Sequence, residues 1–579
     1  MAADSTKRMF LLAIAWFLLA PAVSPSSASV LPASTGTPAQ APHSETLIVR
    51  VYFKDRSTVN RLAANLDVWE VNQAEGYLVA AVTSDQVGWL RQQGLTVVVD
   101  DTKTAALNRP LATIPGQASG ISGFPCYRTV EETYSDLSQL AAAHPELAEW
   151  IDIGDSWQKT AGAGQVGYDI HSLVLSNRAA QVPAAKPRFF LMGAIHAREY
   201  ATSELAARFA EHLIYNYGTD PDITWLLDHF ELHIVPVANP DGRKLAEQYE
   251  SRFQRKNTND SNGGSCAVPP QPADQYGTDL NRNHSFNWGG ASPAACSETY
   301  QGPSAASEPE TLAIEAYLKS IFPDQRGEGE QDPAPLSSSG LLISLHSFGE
   351  LVLWPWGWTD FPAPNDSELE VLGAKLAFFN AYHPQQSSQL YATTGDSADF
   401  AYGELGVPAY TFELGKDFFQ DCETFEAVIL PDNLTALLYA FKAARLPYQN
   451  PSGPDSLDLA VNPAINLPGG TVTVTFVADD TRRTGAASAE TISAARYSID
   501  APSWVDGSAV LPLDAADGSF DSSSEVLQTA IETTGWVEGL HMIFVESQDS
   551  AGNWGVPSAA FIWIGANEAA LYFPLVARQ

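Results

Sequence analysis

Positive charge is scarce in this sequence. Lys and Arg total 32 against 68 Asp and Glu, a formal charge of −36. A surface of that sign repels phosphate backbones and anionic lipids and argues against a nucleic-acid partner. Long apolar runs are also lacking. The one such run, residues 9–20, follows Lys7 and Arg8 and precedes small and polar residues. It is shorter than the roughly 18 apolar residues that make a membrane-crossing helix. The pattern predicts a secretory signal over 1–29, no membrane span, and a secreted, extracellular protein. Cysteine is sparse, with four residues and three possible pairings. Cys266 and Cys296 flank one polar segment and make the favoured local bridge, which leaves Cys126 with Cys422. Export permits both. No Gly-x-Ser-x-Gly motif occurs, which removes the nucleophile elbow of a serine hydrolase.

What is present is a large reservoir of core-forming residues: 45% are hydrophobic and 10% aromatic in a chain of 579. That length exceeds what one core organises, so a large domain with attached modules is expected. After a Ser/Thr/Pro-rich stretch, 46–105 reads as a compact α+β module with strands at 46–53, 76–83 and 95–99 and helices at 57–66 and 84–93. A loose stretch covers 101–120. Strand and helix patterns then alternate through 120–447, implying an α/β fold with a sheet flanked by helices and functional residues at strand ends. Residues 447–455 read as a linker, and 456–566 as a C-terminal β-sandwich of immunoglobulin-like or fibronectin-like kind. Its role is either binding an extracellular polymer or spacing.

Three places carry metal chemistry. In 193–199 (GAIHARE) a strand runs out and a helix begins, and the spacing of His196 and Glu199 brings both to one side of a first helical turn. His346 ends the apolar strand 341–346 (LLISLH). Glu413 lies within another apolar strand, where an unpaired carboxylate is costly and points to an ion pair or a catalytic base. Two His and one Glu are the set that holds a catalytic zinc and leaves a position for water. His229 and His233 read as packing residues of one strand, and 239–242 as a turn.

These motifs resemble, in order, those of the zinc carboxypeptidases of the pancreatic A/B type: HARE at 196–199, NPDG at 239–242, RFQR at 252–255, DLNRN at 279–283, CSETY at 296–300, HS at 346–347, Tyr391 and FEL at 412–414. The resemblance implies a mixed eight-stranded sheet and one Zn2+ held by His196, Glu199 and His346. By the same implication Glu413 is the general base and Arg255 faces the oxyanion. Asn281, Arg282 and Tyr391 would grip the terminal carboxylate of a peptide or protein substrate, and Arg198 would meet the residue before the scissile bond. Asp396, in 395–399 (GDSAD), would lie in the pocket for the leaving side chain. Ala398 stands where a basic-specific member carries an acid, so both hydrophobic and basic C-terminal residues are expected to be accepted. The module at 46–105 holds the position of the family's propeptide and is expected to cover the cleft and to be removed around 105–120. The stretch 324–339, rich in Gly, Pro and acids, reads as a surface insertion. A stem-peptide peptidase of the same fold and a non-catalytic binding protein are the competing readings.

Overall fold

The computed structural model describes residues 46–108, 114–161, 166–180, 185–262, 264–482 and 489–566. The expected signal over 1–29 lies outside the described residues.

The N-terminal segment forms an antiparallel four-stranded sheet from Leu47–Tyr52, Asp67–Asn72, Tyr77–Val82 and Thr96–Val99, in the spatial order second, third, first, fourth. Helices Arg56–Ala63 and Ser84–Gln92 start on side-chain caps from Asp55 and Thr83. They bury Val59, Leu62, Val87 and Leu90 against Val49, Val51, Leu78 and Ala80 of the sheet. Two features depart from expectation. Strand Asp67–Asn72 is additional, and 101–107 is a helix capped by Asp100 rather than a loose stretch.

The central sheet has eight strands in the order His383–Gln386, Leu351–Trp354, Ala409–Glu413, Leu341–His346, Arg188–Met192, Glu231–Val235, Asp169–Leu175 and Ala148–Asp155. It is mixed. The middle strands Ala409–Glu413, Leu341–His346, Arg188–Met192 and Glu231–Val235 run parallel, with antiparallel pairings at 351–354 with 409–413, at 169–175 with 231–235 and at 148–155 with 169–175. Strand Leu341–His346 is buried along its whole length. Burial on both faces explains its near-continuous apolar sequence. Because the middle strands are parallel, their C-terminal ends lie on one side of the sheet. Glu413 pairs in register with His346, and the loop after Met192 leaves from the same edge.

Local corrections follow. His229 ends helix Pro221–His229 rather than lying in a strand, while His233 does lie in strand Glu231–Val235. Residues 240–246 form a short helix capped by the Asn239 side chain instead of a simple turn. The stretch 447–455 is no free linker: Tyr448, Asn450, Pro451 and Asp455 are buried, and Asn450 Nδ2 donates to the Trp554 carbonyl at 2.8 Å.

Beyond it an eight-stranded sheet spans Asp455–Ile564. Alternate residues of its strands, among them Val474, Phe476, Tyr497, Leu527, Val545 and Ile562, fill one shared core. Disulfides join Cys266 to Cys296 and Cys126 to Cys422.

Candidate functional site

His196 and Glu199 lie in the turn between strand Arg188–Met192 and helix Tyr200–Asn216, not on a helical turn as the spacing alone suggests. Glu199 is the residue before the helix, with φ −88° and ψ 79°. That non-helical backbone sends its carboxylate back toward His196. The turn is fixed from behind: Ala194 N donates to the Thr202 hydroxyl at 2.9 Å and Ala197 N to the Arg255 carbonyl at 3.0 Å.

The three expected ligands converge although His196 and His346 are 150 positions apart. Glu199 Oε1 lies 2.8 Å from His196 Nδ1, Glu199 Oε2 lies 3.4 Å from His346 Nδ1, and the two Nδ1 atoms are 3.1 Å apart. All three side chains are buried. Two imidazole nitrogens and a carboxylate turned on one another are an electron-rich cluster that a dication satisfies. Bonds of about 2.0–2.1 Å to a tetrahedral ion separate its ligand atoms by about 3.3 Å, close to these spacings. The far ring nitrogens are occupied too: His196 Nε2 sits 3.2 Å from Asp279 Oδ1, and His346 Nε2 3.0 Å from the Ser344 hydroxyl. Such outer partners fix ring orientation at metal sites. The residues therefore fit a zinc ion. Burial opposes the charge of Glu199, but His196 and His346 outweigh it and hold the carboxyl below its ordinary range.

Glu413 lines the same cleft. Burial and the Glu199 charge push its carboxyl well above the usual range, against the pull of Arg255 and Arg282. Arg255 is held by Asp279 through Nε and Nη2 at 3.0 and 2.9 Å, with Nη1 3.9 Å from Glu199. Asn281 accepts the Ser397 amide on Oδ1 at 3.0 Å, and Arg282 Nη1 donates to the Asn281 carbonyl at 2.7 Å. Tyr391 and Asp396 line the cleft with them. Asp396 caps helix Ser397–Leu405 through Oδ1 and accepts the Thr393 hydroxyl on Oδ2 at 3.0 Å. Beneath it, burial and the neighbouring Asp396 push the Asp399 carboxyl well above its usual range, and the Gly357 and Trp358 amides donate to it.

Two acids that sequence reasoning left without a role are part of this arrangement. Asp279 bridges His196, Arg255 and the Asn281 amide at once. Its signal was its place two residues before Asn281. Glu298, buried in the cleft wall, lies 3.6 Å from Arg198. Arg198 is itself taken by the N-terminal segment: Asp67 binds it at 2.8 and 2.9 Å, and Phe418 covers the guanidinium. Burial and the Asp67 charge hold Glu298 well above its usual range, while Arg198 overcomes burial to hold Asp67 below. Trp69 packs edge-on against Phe348 and Phe418, and Asn60 Oδ1 accepts the Ala392 amide beside Tyr391 at 2.9 Å. Ala63, Leu66, Asp67, Val68 and Trp69 thus wall a cleft whose other walls carry His196, Glu413 and Arg282.

A His–Glu–His cluster at the strand ends of such a sheet is the donor set of a zinc-dependent hydrolase. Comparison narrows the class. The zinc carboxypeptidase family profile matches residues 133–431. The chain is 30% identical over 413 residues to a zinc carboxypeptidase of Saccharothrix mutabilis subsp. capreolus, covering 69% of this chain and 88% of that one. It is 27% identical over 417 residues to zinc carboxypeptidase A 1 of Anopheles gambiae (68% and 83%), and 30% over 308 to carboxypeptidase A2 of Rattus norvegicus (52% and 64%). The fold matches the crystal structure of carboxypeptidase A from Helicoverpa armigera with a TM-score of 0.55 at 24% identity, over 71% of this chain and 98% of that one. The chain belongs to the zinc carboxypeptidase family.

Proposed function

We propose that this chain is a secreted zinc metallocarboxypeptidase that releases single residues from the C-terminus of peptides and proteins and is held latent by its N-terminal module. The observation that carries the reading is one cleft in which a His–Glu–His cluster, a half-buried glutamate and an Asn–Arg–Tyr set lie together. Export is supported by the two disulfides.

His196, Glu199 and His346 would hold the zinc, which supplies a lowered pKa for a bound water, polarises the scissile carbonyl, and by its charge draws the Glu413 carboxyl back toward ionisation. Glu413 takes a proton from the attacking water and passes it to the leaving amine. Arg255, fixed by Asp279, places positive charge where the carbonyl oxygen becomes negative. Arg282 offers a planar fork to the substrate's terminal carboxylate, Asn281 lies beside it, and Tyr391 closes over the pair. Asp396 and the apolar Leu351, Leu353 and Leu390 surround the leaving side chain, which supports acceptance of both basic and hydrophobic residues.

The test compares peptides with free and amidated C-termini on the opened enzyme, with and without a chelator. Only free ends should be trimmed, and only without chelator. Glu413→Gln should keep a full complement of zinc by elemental analysis and lose about 10²–10⁴-fold in turnover. Trimming of amidated ends, or an active Glu413→Gln variant, would overturn the assignment.

A further inference from the structure

The insertion 324–339 does not stand off the surface. Arg326 within it is buried. Its hydrogen-bond acceptors are main-chain carbonyls: Nε donates to Asp332 at 2.7 Å, Nη1 to Gly403 at 3.0 Å, and Nη2 to Gly329 and Glu330 at 3.2 and 2.6 Å. The Gly403 carbonyl belongs to the last turn of helix Ser397–Leu405, the end of a helix dipole that favours a cation. The guanidinium also faces the rings of Trp356 and Tyr402 at 5.4 and 5.5 Å. The stem runs against Gly406, whose φ is +66° and where a Cβ would come within 2.9 Å of Arg326 Cβ. A planar fork spread over fixed carbonyls of two segments is a clamp that an ammonium cannot reproduce.

What the clamp presses on leads to the substrate cleft. Trp356 is buried, stacks on Phe286 and meets Tyr402 edge-on at 4.9 Å. Its carbonyl accepts the Ser388 amide at 3.1 Å and the next carbonyl, of Gly357, accepts the Thr393 amide at 2.9 Å. Gly357 lies so close beneath this segment that a Cβ there would come within 2.5 Å of the Thr393 hydroxyl and 2.9 Å of Asp396 Oδ2. The segment so supported, 387–396, carries Leu390, Tyr391, Thr393 and Asp396.

We infer that Arg326 is a positioning residue for substrate binding: it clamps the insertion to the end of helix Ser397–Leu405 and fixes the Trp356–Gly357 shelf under the segment bearing Tyr391 and Asp396. The inference deepens the carboxypeptidase reading of the cleft and rests on it. A side chain that only shapes the wall changes substrate binding more than the chemical step, because the ion site and Glu413 lie on other strands.

The full-length chain carrying Arg326→Met or Arg326→Lys is compared with the wild type after limited proteolysis between the N-terminal module and the rest. KM for a peptide with a free C-terminus should rise about fivefold or more in Arg326→Met, with kcat held within about twofold and Arg326→Lys intermediate. Independently of turnover, hydrogen exchange should quicken at the Ser388 and Thr393 amides, outside the insertion, in both variants. Equal KM, or quickened exchange confined to 324–339, overturns the clamp. A wild type that releases no C-terminal residue tells instead against the carboxypeptidase reading, and the exchange at Ser388 and Thr393 still decides the role of Arg326. Arg326→Lys keeps the test usable where Arg326→Met does not fold.

Discussion

Removing Asp67 is the most direct probe of latency. Its carboxylate makes a bidentate pair with Arg198, and both side chains are almost wholly buried. Deleting one partner of such a pair costs about 3–5 kcal/mol because the other charge is left buried and alone. Here Arg198 is not left wholly alone. Glu298 lies 3.6 Å away, and the Asp67 charge is among the causes that push its carboxyl well above the usual range. Glu298, the acid that remains beside Arg198, offsets part of the loss, which leaves a net penalty of about 2 kcal/mol on docking. This corresponds to about a thirtyfold shift from the covered to the open cleft. The uncleaved Asp67→Ala chain should therefore trim a free-ended peptide much faster than the uncleaved wild type, and the two should be equal once the module has been cut away. Trp69 and Asn60 still hold the module in the variant, which leaves it partly latent. Equal activity of the two uncleaved chains, with equal activity after cutting, would show that the Asp67–Arg198 pair does not close the cleft.

Two further outcomes follow from buried acids. Glu310 accepts the Trp157 amide at 2.7 Å, and burial pushes its carboxyl to about 8. A carboxyl raised above its unfolded value contributes stability that is complete below about 4.5 and is lost as pH rises through about 8. Glu310→Gln should thus melt at a temperature that falls less than the wild type's between pH 5 and pH 9, and parallel melting profiles would refute this. At the pocket floor, Asp396→Asn should lower kcat/KM for basic C-terminal residues about tenfold relative to hydrophobic ones. An unchanged ratio in a competition assay of two peptides would remove Asp396 from side-chain recognition.

The central sheet was legible because strands buried on both faces must be apolar throughout, and runs such as LLISL and RFFLM announce themselves. The convergence of His196, Glu199 and His346 was legible for a related reason. Parallel strands deliver their C-terminal ends to one edge, so polar residues at those ends meet whatever their separation along the chain. Strand Asp67–Asn72 was not legible, since Asp67, Glu70 and Asn72 break its alternation. Asp67 is tolerated there only because Arg198, 131 positions away, meets it. Asp279 sits in a polar stretch with no periodicity to separate it from a solvated loop acid. Arg326 was hidden still more deeply. Its partners are main-chain carbonyls, which every residue possesses, and a neighbourhood of acids, glycines and prolines reads as exposed surface. The helix at 221–229 and the strand at 231–235 abut with one residue between them, and this is how His229 came to be read into the strand.

The C-terminal sheet bears on the catalytic half through packing rather than through a tether. Phe544, Val556 and Ala559 belong to the same continuous core as Leu232, Leu341 and Phe412 of the central sheet. Trp504 and Phe544 meet Trp225 at 5.9 and 6.2 Å. Lys375 is buried with its ammonium 2.9 Å from Asp455, and Asp222 accepts the Ala559 amide at 2.9 Å. A buried ion pair of this kind is weak evidence for stability, but removing either partner would leave the other charge buried and unpaired. Lys375 lies on helix Asp366–Asn380, which leads into strand His383–Gln386 and then into the segment carrying Tyr391. Two supports therefore converge on the side of the cleft that carries Tyr391 and Asp396, the insertion through Arg326 and the C-terminal sheet through Lys375. The His–Glu–His cluster is held in addition by the ladder of the parallel strands and by Asp279. Loss of the C-terminal sheet should consequently register first in substrate binding, while the His–Glu–His cluster stays assembled.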